Sequence, residues 1–231
     1  MPAIELFTAN FSPFGQRVRL ALLEKGLDFL HTEIDLTAKP EWFLIISPLG
    51  QVPVIRHEDR FVSDSSVILE YLEDVYPIPS LRPRDPKTRA VIRFWTDYAD
   101  EKLVAGIVAA VKAEGEKRGP AREQLREILA FIEREGMARC SRGPYWLGKD
   151  LTLLDIIFYP LFERLPAIPG DVADEPPLIS KRMRFWLEVM SERPSVKVTQ
   201  NPVASHARAF QEYLGLKPRR RRVGNVEYLQ A

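Results

Sequence analysis

The chain has very little cysteine: Cys140 is the one thiol among 231 residues. A single cysteine excludes an intramolecular disulfide and any Cys-x-x-Cys redox or zinc motif. The three histidines, His31, His57 and His206, lack metal-ligand spacing, and no Walker loop or Rossmann glycine pattern is present. We therefore expect no metal, and a reducing, cytoplasmic location fits best.

An excess of charge of one sign is also missing. The 33 basic and 32 acidic residues leave a formal net charge of +1, which is no basis for nucleic acid or a membrane surface as the main partner. No run of about 18 apolar residues predicts a transmembrane helix, and the N-terminus lacks the basic and apolar regions of a signal peptide. A chain of this length can form a sizeable core, divided naturally into two modest domains.

Short strands and helices alternate up to about residue 76. The predicted order is β-α-β-α-β-β-α, and the elements span 4–8, 13–25, 29–35, 39–46, 54–57, 60–62 and 65–75. A linker follows, marked by four prolines within ten residues: Pro77, Pro79, Pro83 and Pro86.

The remainder reads as helical, with no convincing strand. An apolar stripe at helical spacing runs from Ala90 to Val111, and a second amphipathic helix is predicted over 123–137. Thr152-x-x-Asp155 has the form of a capping box, with Asp in place of the usual Glu. Further helices are predicted at 177–191 and 204–214, and the basic tail has no core pattern.

The most informative segment is the turn at Ser12-Pro13. Proline is favoured at the first helical position, so Ser12 is predicted to be the N-cap of the helix after the first strand. A cap alone would account for a serine here, at about 1 kcal/mol of helix stability. Backbone N–H groups and the positive end of the helix dipole also converge at this point, so it suits a bound anion.

Three segments carry a resemblance to a known family. Residues 12–22, Ser-Pro-Phe-Gly-Gln-Arg-Val-Arg-Leu-Ala-Leu, resemble the active-site turn of glutathione S-transferases. Residues 39–43 and 47–54 are similar to the omega class, and 64–72 resemble the family's acidic-Ser glutathione clamp. Omega enzymes have Cys where this chain has Ser12, and in that respect the turn is more similar to the plant tau class.

The resemblance implies a fold and an activity. The fold is an α/β thioredoxin-like domain over 1–78 and an all-α domain over 84–216, followed by a tail, 217–231, that we expect to be disordered. The activity is that of a glutathione transferase, in which glutathione is the co-substrate and its thiolate attacks a small hydrophobic electrophile or a peroxide. The family also implies a cytoplasmic homodimer.

The same resemblance assigns the site. Ser12 would activate the thiol and, since serine forms no mixed disulfide, it argues against thiol-transfer chemistry. Val52 would offer a backbone edge before a cis proline, while Ser65 and Asp64 would hold the γ-glutamyl carboxylate and ammonium. The implied glutathione-binding residues are Phe14, Lys39, Gln51, Val52, Pro53, Asp64 and Ser65. The candidate pocket for the electrophile comprises Phe11, Trp95, Tyr98, Val104 and Val108, although aromatic residues at helical spacing are more often core.

Plainer interpretations stay open at the level of sequence. Asp64 and Ser65 are also good helix caps, and Lys39 alone would be an ordinary surface lysine. The chain could be a non-enzymatic interaction module, like the stringent starvation proteins that bind RNA polymerase with this fold. It could instead be a glutathione-dependent isomerase or lyase, because the second pocket has no motif.

Overall fold

The computed structural model describes residues 3–138, 143–168, 179–215, 220–223 and 226–229. Contacts divide the chain into two compact units: Met1–Pro79 with Glu212–Ala231, and Ser80–Gln211. We call these the first and second units. Within the described ranges, no helix is both long enough and apolar enough to cross a membrane.

The first unit contains a four-stranded mixed sheet in the order β2-β1-β3-β4. Strand β1 is parallel to β2 and antiparallel to β3, which pairs antiparallel with β4. The strands are β1 (Ile4–Thr8), β2 (Phe29–Glu33), β3 (Val54–His57) and β4 (Arg60–Ser63), and the helices are α1 (Pro13–Glu24), α2 (Glu41–Ile46) and α3 (Ser65–Val75). This is the predicted thioredoxin-like domain.

The strand register brings four chain segments to one edge of the sheet. Val54 is opposite both Phe7 and Ser63, and Thr8 is opposite Glu33. The ends of β1, β2 and β4 therefore meet the beginning of β3. The turn at Ser12, the loop before α2, the Val52-Pro53 segment and the start of α3 all leave from this edge.

The start of α1 lies directly on the end of β1. A Cβ added at Gly15 would be 1.9 Å from Thr8 Oγ1, so only glycine permits this approach. Behind it, α1 packs on α3 and buries Val18, Leu20 and Leu22. Close packing here fixes the position of the Ser12 turn relative to the sheet.

The second unit is built mainly from helices. Two segments, Ala99–Leu103 and Ile132–Met137, are π-helical, and the predicted stripe over 90–111 is interrupted by the first of them. The α-helices are α4 (Pro86–Tyr98), α5 (Val104–Lys112), α6 (Arg118–Phe131), α7 (Leu153–Glu163), α8 (Lys181–Ser191), α9 (Pro194–Thr199) and α10 (Val203–Gly215), with 3₁₀ turns at Gly115–Lys117 and Leu165–Ala167.

A buried carboxylate at the start of α7 organises the core of the second unit. Asp155 accepts hydrogen bonds from Trp146 N, Thr152 N and Trp186 Nε1, each at 2.8 Å, and from Thr152 Oγ1 at 3.1 Å. The predicted capping box is therefore confirmed. Burial nevertheless raises the pKa of Asp155, against the opposing effect of these four bonds.

One expectation for the C-terminal part is corrected. The segment after Arg84 was predicted to lack strands, whereas β5 (Arg220–Val223) and β6 (Val226–Leu229) pair antiparallel. Backbone pairing of this kind needs no apolar core pattern, so the sequence pattern did not reveal it. The disorder predicted for the tail, 217–231, stays a prediction. The first residues of the helix predicted at 177–191, and Cys140, lie outside the described residues.

Candidate functional site

Ser12 caps α1 as predicted. Its Oγ accepts a hydrogen bond from Gly15 N at 3.2 Å, its own N–H donates to Ala9 O at 2.9 Å, and the residue is only 4% exposed. Asn10 N donates to Glu33 Oε1 at 2.9 Å, which ties the turn to the end of β2. Because the hydroxyl oxygen is used as the cap acceptor, its proton remains able to point away from the helix.

The Val52-Pro53 peptide bond is cis. The preceding loop is held by Ser47, whose Oγ accepts from Gln51 N at 3.1 Å and donates to Gln51 O at 2.8 Å. Among the described residues, Val52 has no backbone hydrogen bond. The segment therefore offers the backbone groups of one residue beside the sheet for pairing with a peptide.

Asp64 and Ser65 lie at the N-terminus of α3. Asp64 has an unusual φ of 75°, and its Oδ1 accepts from Ser66 N at 2.8 Å and Val67 N at 3.2 Å. Ser65 follows as the first helical residue and is buried. Capping and ligand binding are compatible here, because the cap uses Asp64 Oδ1 with the N–H groups of Ser66 and Val67, and a ligand can still meet the second carboxylate oxygen and the N–H of Ser65.

Arg17 is a site residue that sequence reasoning missed. It is fully buried, donates from Nη1 to Ser65 Oγ at 3.3 Å, and places its guanidinium 5.0 Å from the centre of the Phe14 ring. A cation therefore lies directly behind the start of α3, where it adds to the positive end of the helix. The arginine falls within the segment that resembles the family, but a contact with α3 is visible only in the fold.

Lys39 and Gln51 flank this edge from the loops before and after α2. The loop leading to Lys39 is stiffened by Asp35, whose Oδ1 accepts from Thr37 N, Thr37 Oγ1 and Ala38 N. The hydrogen bonds from Thr37 lower the pKa of Asp35. Lys39 is half-buried and Gln51 is exposed.

Comparisons with known proteins point to one family. The N-terminal domain model of glutathione S-transferases matches residues 6–83. Glutathione S-transferase U17 of Arabidopsis thaliana is 34% identical over 205 residues, which cover 84% of this chain and 88% of the relative. The chain belongs to the glutathione S-transferase family. The resemblance to the family is therefore confirmed.

Two further comparisons extend over both units. Glutathione S-transferase omega-1 of Rattus norvegicus is 29% identical over 220 residues, 92% of this chain and 85% of the relative. A solved structure of rice GST1 in complex with glutathione has a TM-score of 0.80 and 28% identity, and the match covers 93% of this chain and 97% of that one. The transferase fold thus extends through the helical part.

The residues predicted to receive the electrophile differ in their surroundings. Phe11, Tyr98, Val104 and Val108 are all half-buried, and burial raises the pKa of Tyr98. Trp95 is 3% exposed and lies within 6.0 Å, ring to ring, of four other aromatic rings: Phe94, Tyr98, Phe131 and Trp146. Trp95 is a core residue of the second unit, and its assignment to the electrophile pocket stays a prediction.

Proposed function

We propose that the protein is a glutathione transferase that binds glutathione at the edge of the first unit and uses Ser12 to stabilise its thiolate. The observation that carries the proposal is the Ser12 cap, in which the hydroxyl is buried, fixed by Gly15 and still able to donate its proton. A free thiol has a pKa of about 8.5, and a helix N-terminus with one hydroxyl donor favours the thiolate.

The remaining residues would orient the tripeptide. Val52 would pair with its cysteinyl backbone, and the start of α3, reinforced by Arg17, would hold the γ-glutamyl carboxylate on Ser65. Lys39 and Gln51 would meet the glycine end. Catalysis would then come from positioning the sulfur and stabilising its charge, with the released thiol proton passing to water.

The electrophile would be a small hydrophobic molecule or a peroxide, and Phe11 is the residue of the first unit proposed to contact it. We infer a cytoplasmic homodimer, since a two-fold pair is the commonest closed assembly. No feature of the described residues favours the docking module or the isomerase and lyase reactions over conjugation.

Replacing Ser12 by alanine tests the proposal. The variant should lose on the order of tenfold or more in turnover with a generic electrophile, while its affinity for S-methylglutathione, which has no ionisable thiol, stays the same. The pKa of bound glutathione, followed by thiolate absorbance, should rise towards its value in solution. Unchanged turnover together with an unchanged thiol pKa would show that another group holds the sulfur.

A further inference from the structure

A buried ion pair joins the ends of α1 and α3 that lie away from the proposed site. Lys25 Nζ is 2.6 Å from Glu73 Oε1, and the two side chains are 0% and 1% exposed. Lys25 Nζ also donates to Tyr76 O at 2.7 Å and to Pro79 O at 2.9 Å. All three protons of the ammonium group therefore have acceptors.

The same two helices are joined a second time, at the site end, by Arg17 Nη1 and Ser65 Oγ. Arg17 and Lys25 are eight residues apart on the chain, and so are Ser65 and Glu73. Eight residues of helix rise about 12 Å. The helices therefore run in the same direction and are held by buried polar contacts at matched positions, one beside the site and one about two turns away.

The residues that the two helices bury between these polar links are apolar. Helix α1 buries Val18 and Leu22, and α3 buries Ile68 and Leu72. Apolar burial is non-directional and does not by itself fix how far one helix slides along the other. A buried ion pair adds little net stability compared with apolar residues of the same volume, and its best-attested role is to fix register.

We propose that Lys25 and Glu73 are positioning residues, which set the axial register of α1 against α3 and thereby hold Ser12 and Ser65 at the separation that productive glutathione binding needs. The inference rests on the proposed function, because the register matters for catalysis only if glutathione binds at this edge. Neither residue touches the ligand. Their effect passes along the two helices to the Arg17–Ser65 contact.

The test is the double replacement Lys25→Met with Glu73→Leu, which removes both charges and keeps the volume. We expect a folded protein with a lowered thermal midpoint, because the carbonyl groups of Tyr76 and Pro79 lose the Lys25 ammonium as their donor. We also expect turnover at saturating glutathione to fall on the order of tenfold to a hundredfold, since displacements of about 1 Å have effects of this size. The pKa of the bound thiol should rise, whereas a change confined to stability would leave it alone.

Two further variants complete the design. Glu73→Gln keeps the shape of the side chain and leaves Lys25 its carbonyl acceptors, so it provides a folded variant if the double replacement does not fold. It should show a smaller fall in turnover and a smaller rise in the pKa of the bound thiol. The matched control is Lys197→Met with Glu192→Leu, an exposed pair 2.7 Å apart in the second unit, which should change neither turnover nor thiol pKa.

The outcomes separate this proposal from the proposed function. If the folded double variant and Glu73→Gln both keep wild-type turnover and thiol pKa, the pair does not position the site. If the wild type fails to bind glutathione, the proposed function is wrong. The register of α1 against α3 can then still be followed by NMR, through the backbone amide chemical shifts of Ser65 and Ser66. These shifts should change in the double variant, and unchanged shifts would contradict the proposal that Lys25 and Glu73 set the register.

Discussion

At the scale of single residues, the site uses helix-capping side chains whose hydrogen-bonding capacity is only partly taken up. Ser12 accepts from Gly15 and keeps a proton, while Asp64 caps α3 through one carboxylate oxygen. Capping by Ser12 and Asp64 is therefore confirmed and is compatible with the functional roles proposed for them, which stay predictions. Substitutions that keep the cap and remove the charge or the proton will distinguish the two contributions.

Asp64 offers such a separation. Its φ of 75° with ψ of 127° is a rare backbone conformation, which asparagine enters with a side chain of the same shape, and asparagine caps helices about as well. Asp64→Asn should therefore keep the free energy of unfolding within about 0.5 kcal/mol, whereas Asp64→Ala should lose about 1–2 kcal/mol with the cap. Both variants should bind glutathione about tenfold more weakly, because a charged hydrogen bond is worth roughly 1.5–3 kcal/mol.

Calorimetric titration with glutathione and urea unfolding, performed on the same preparations, will check this. If Asp64→Asn binds glutathione as tightly as the wild type, the carboxylate is a cap and the ammonium of the ligand is held by another group.

At the scale of elements, the start of α7 depends on a carboxylate that faces four donors. Asp155→Ala should lower the free energy of unfolding by about 3–5 kcal/mol, because it leaves buried donors of Trp146, Thr152 and Trp186 without an acceptor. Asp155→Asn should lose less, since its amide oxygen can still accept from the two tryptophans. Denaturant unfolding monitored by tryptophan fluorescence measures both losses, and equal losses would contradict this account.

The pH dependence follows from burial at the same position. Because the pKa of Asp155 is raised above its ordinary value of 3.8, the folded state binds the proton more tightly than the unfolded state does. The contribution of Asp155 to stability is therefore full below about pH 4 and falls as the pH rises through the folded pKa. The stability of the wild type relative to Asp155→Asn should therefore fall as the pH rises above about 4, and a flat difference would mean that the four hydrogen bonds cancel the effect of burial.

At the scale of the whole molecule, the sequence predicted what local patterns encode. The first strand and the third helix begin and end where predicted, because alternation, the Ser12-Pro13 start and the caps at 64–65 are local signals. The contacts of Arg17 and Lys25 with α3 were not predicted, since they join residues 48 positions apart in the chain. The π-helical segments were not predicted either, because the spacing of apolar residues through them is the same as that of an ordinary α-helix.

The whole proposal can be tested through the pH dependence of ligand affinity. If the first unit lowers the pKa of the glutathione thiol below about 8.5, binding releases a proton, and affinity should rise with pH between the bound and the free pKa, up to tenfold for each unit of lowering. S-methylglutathione, which has no such proton, should bind with an affinity that is flat over the same range. Ser12→Ala should flatten the glutathione curve towards that of the methyl derivative without changing the latter.

Titration calorimetry in two buffers of different ionisation enthalpy counts the released proton directly. A wild-type curve as flat as that of the methyl derivative would mean that the thiol binds un-ionised, and the role of Ser12 would then be limited to capping α1.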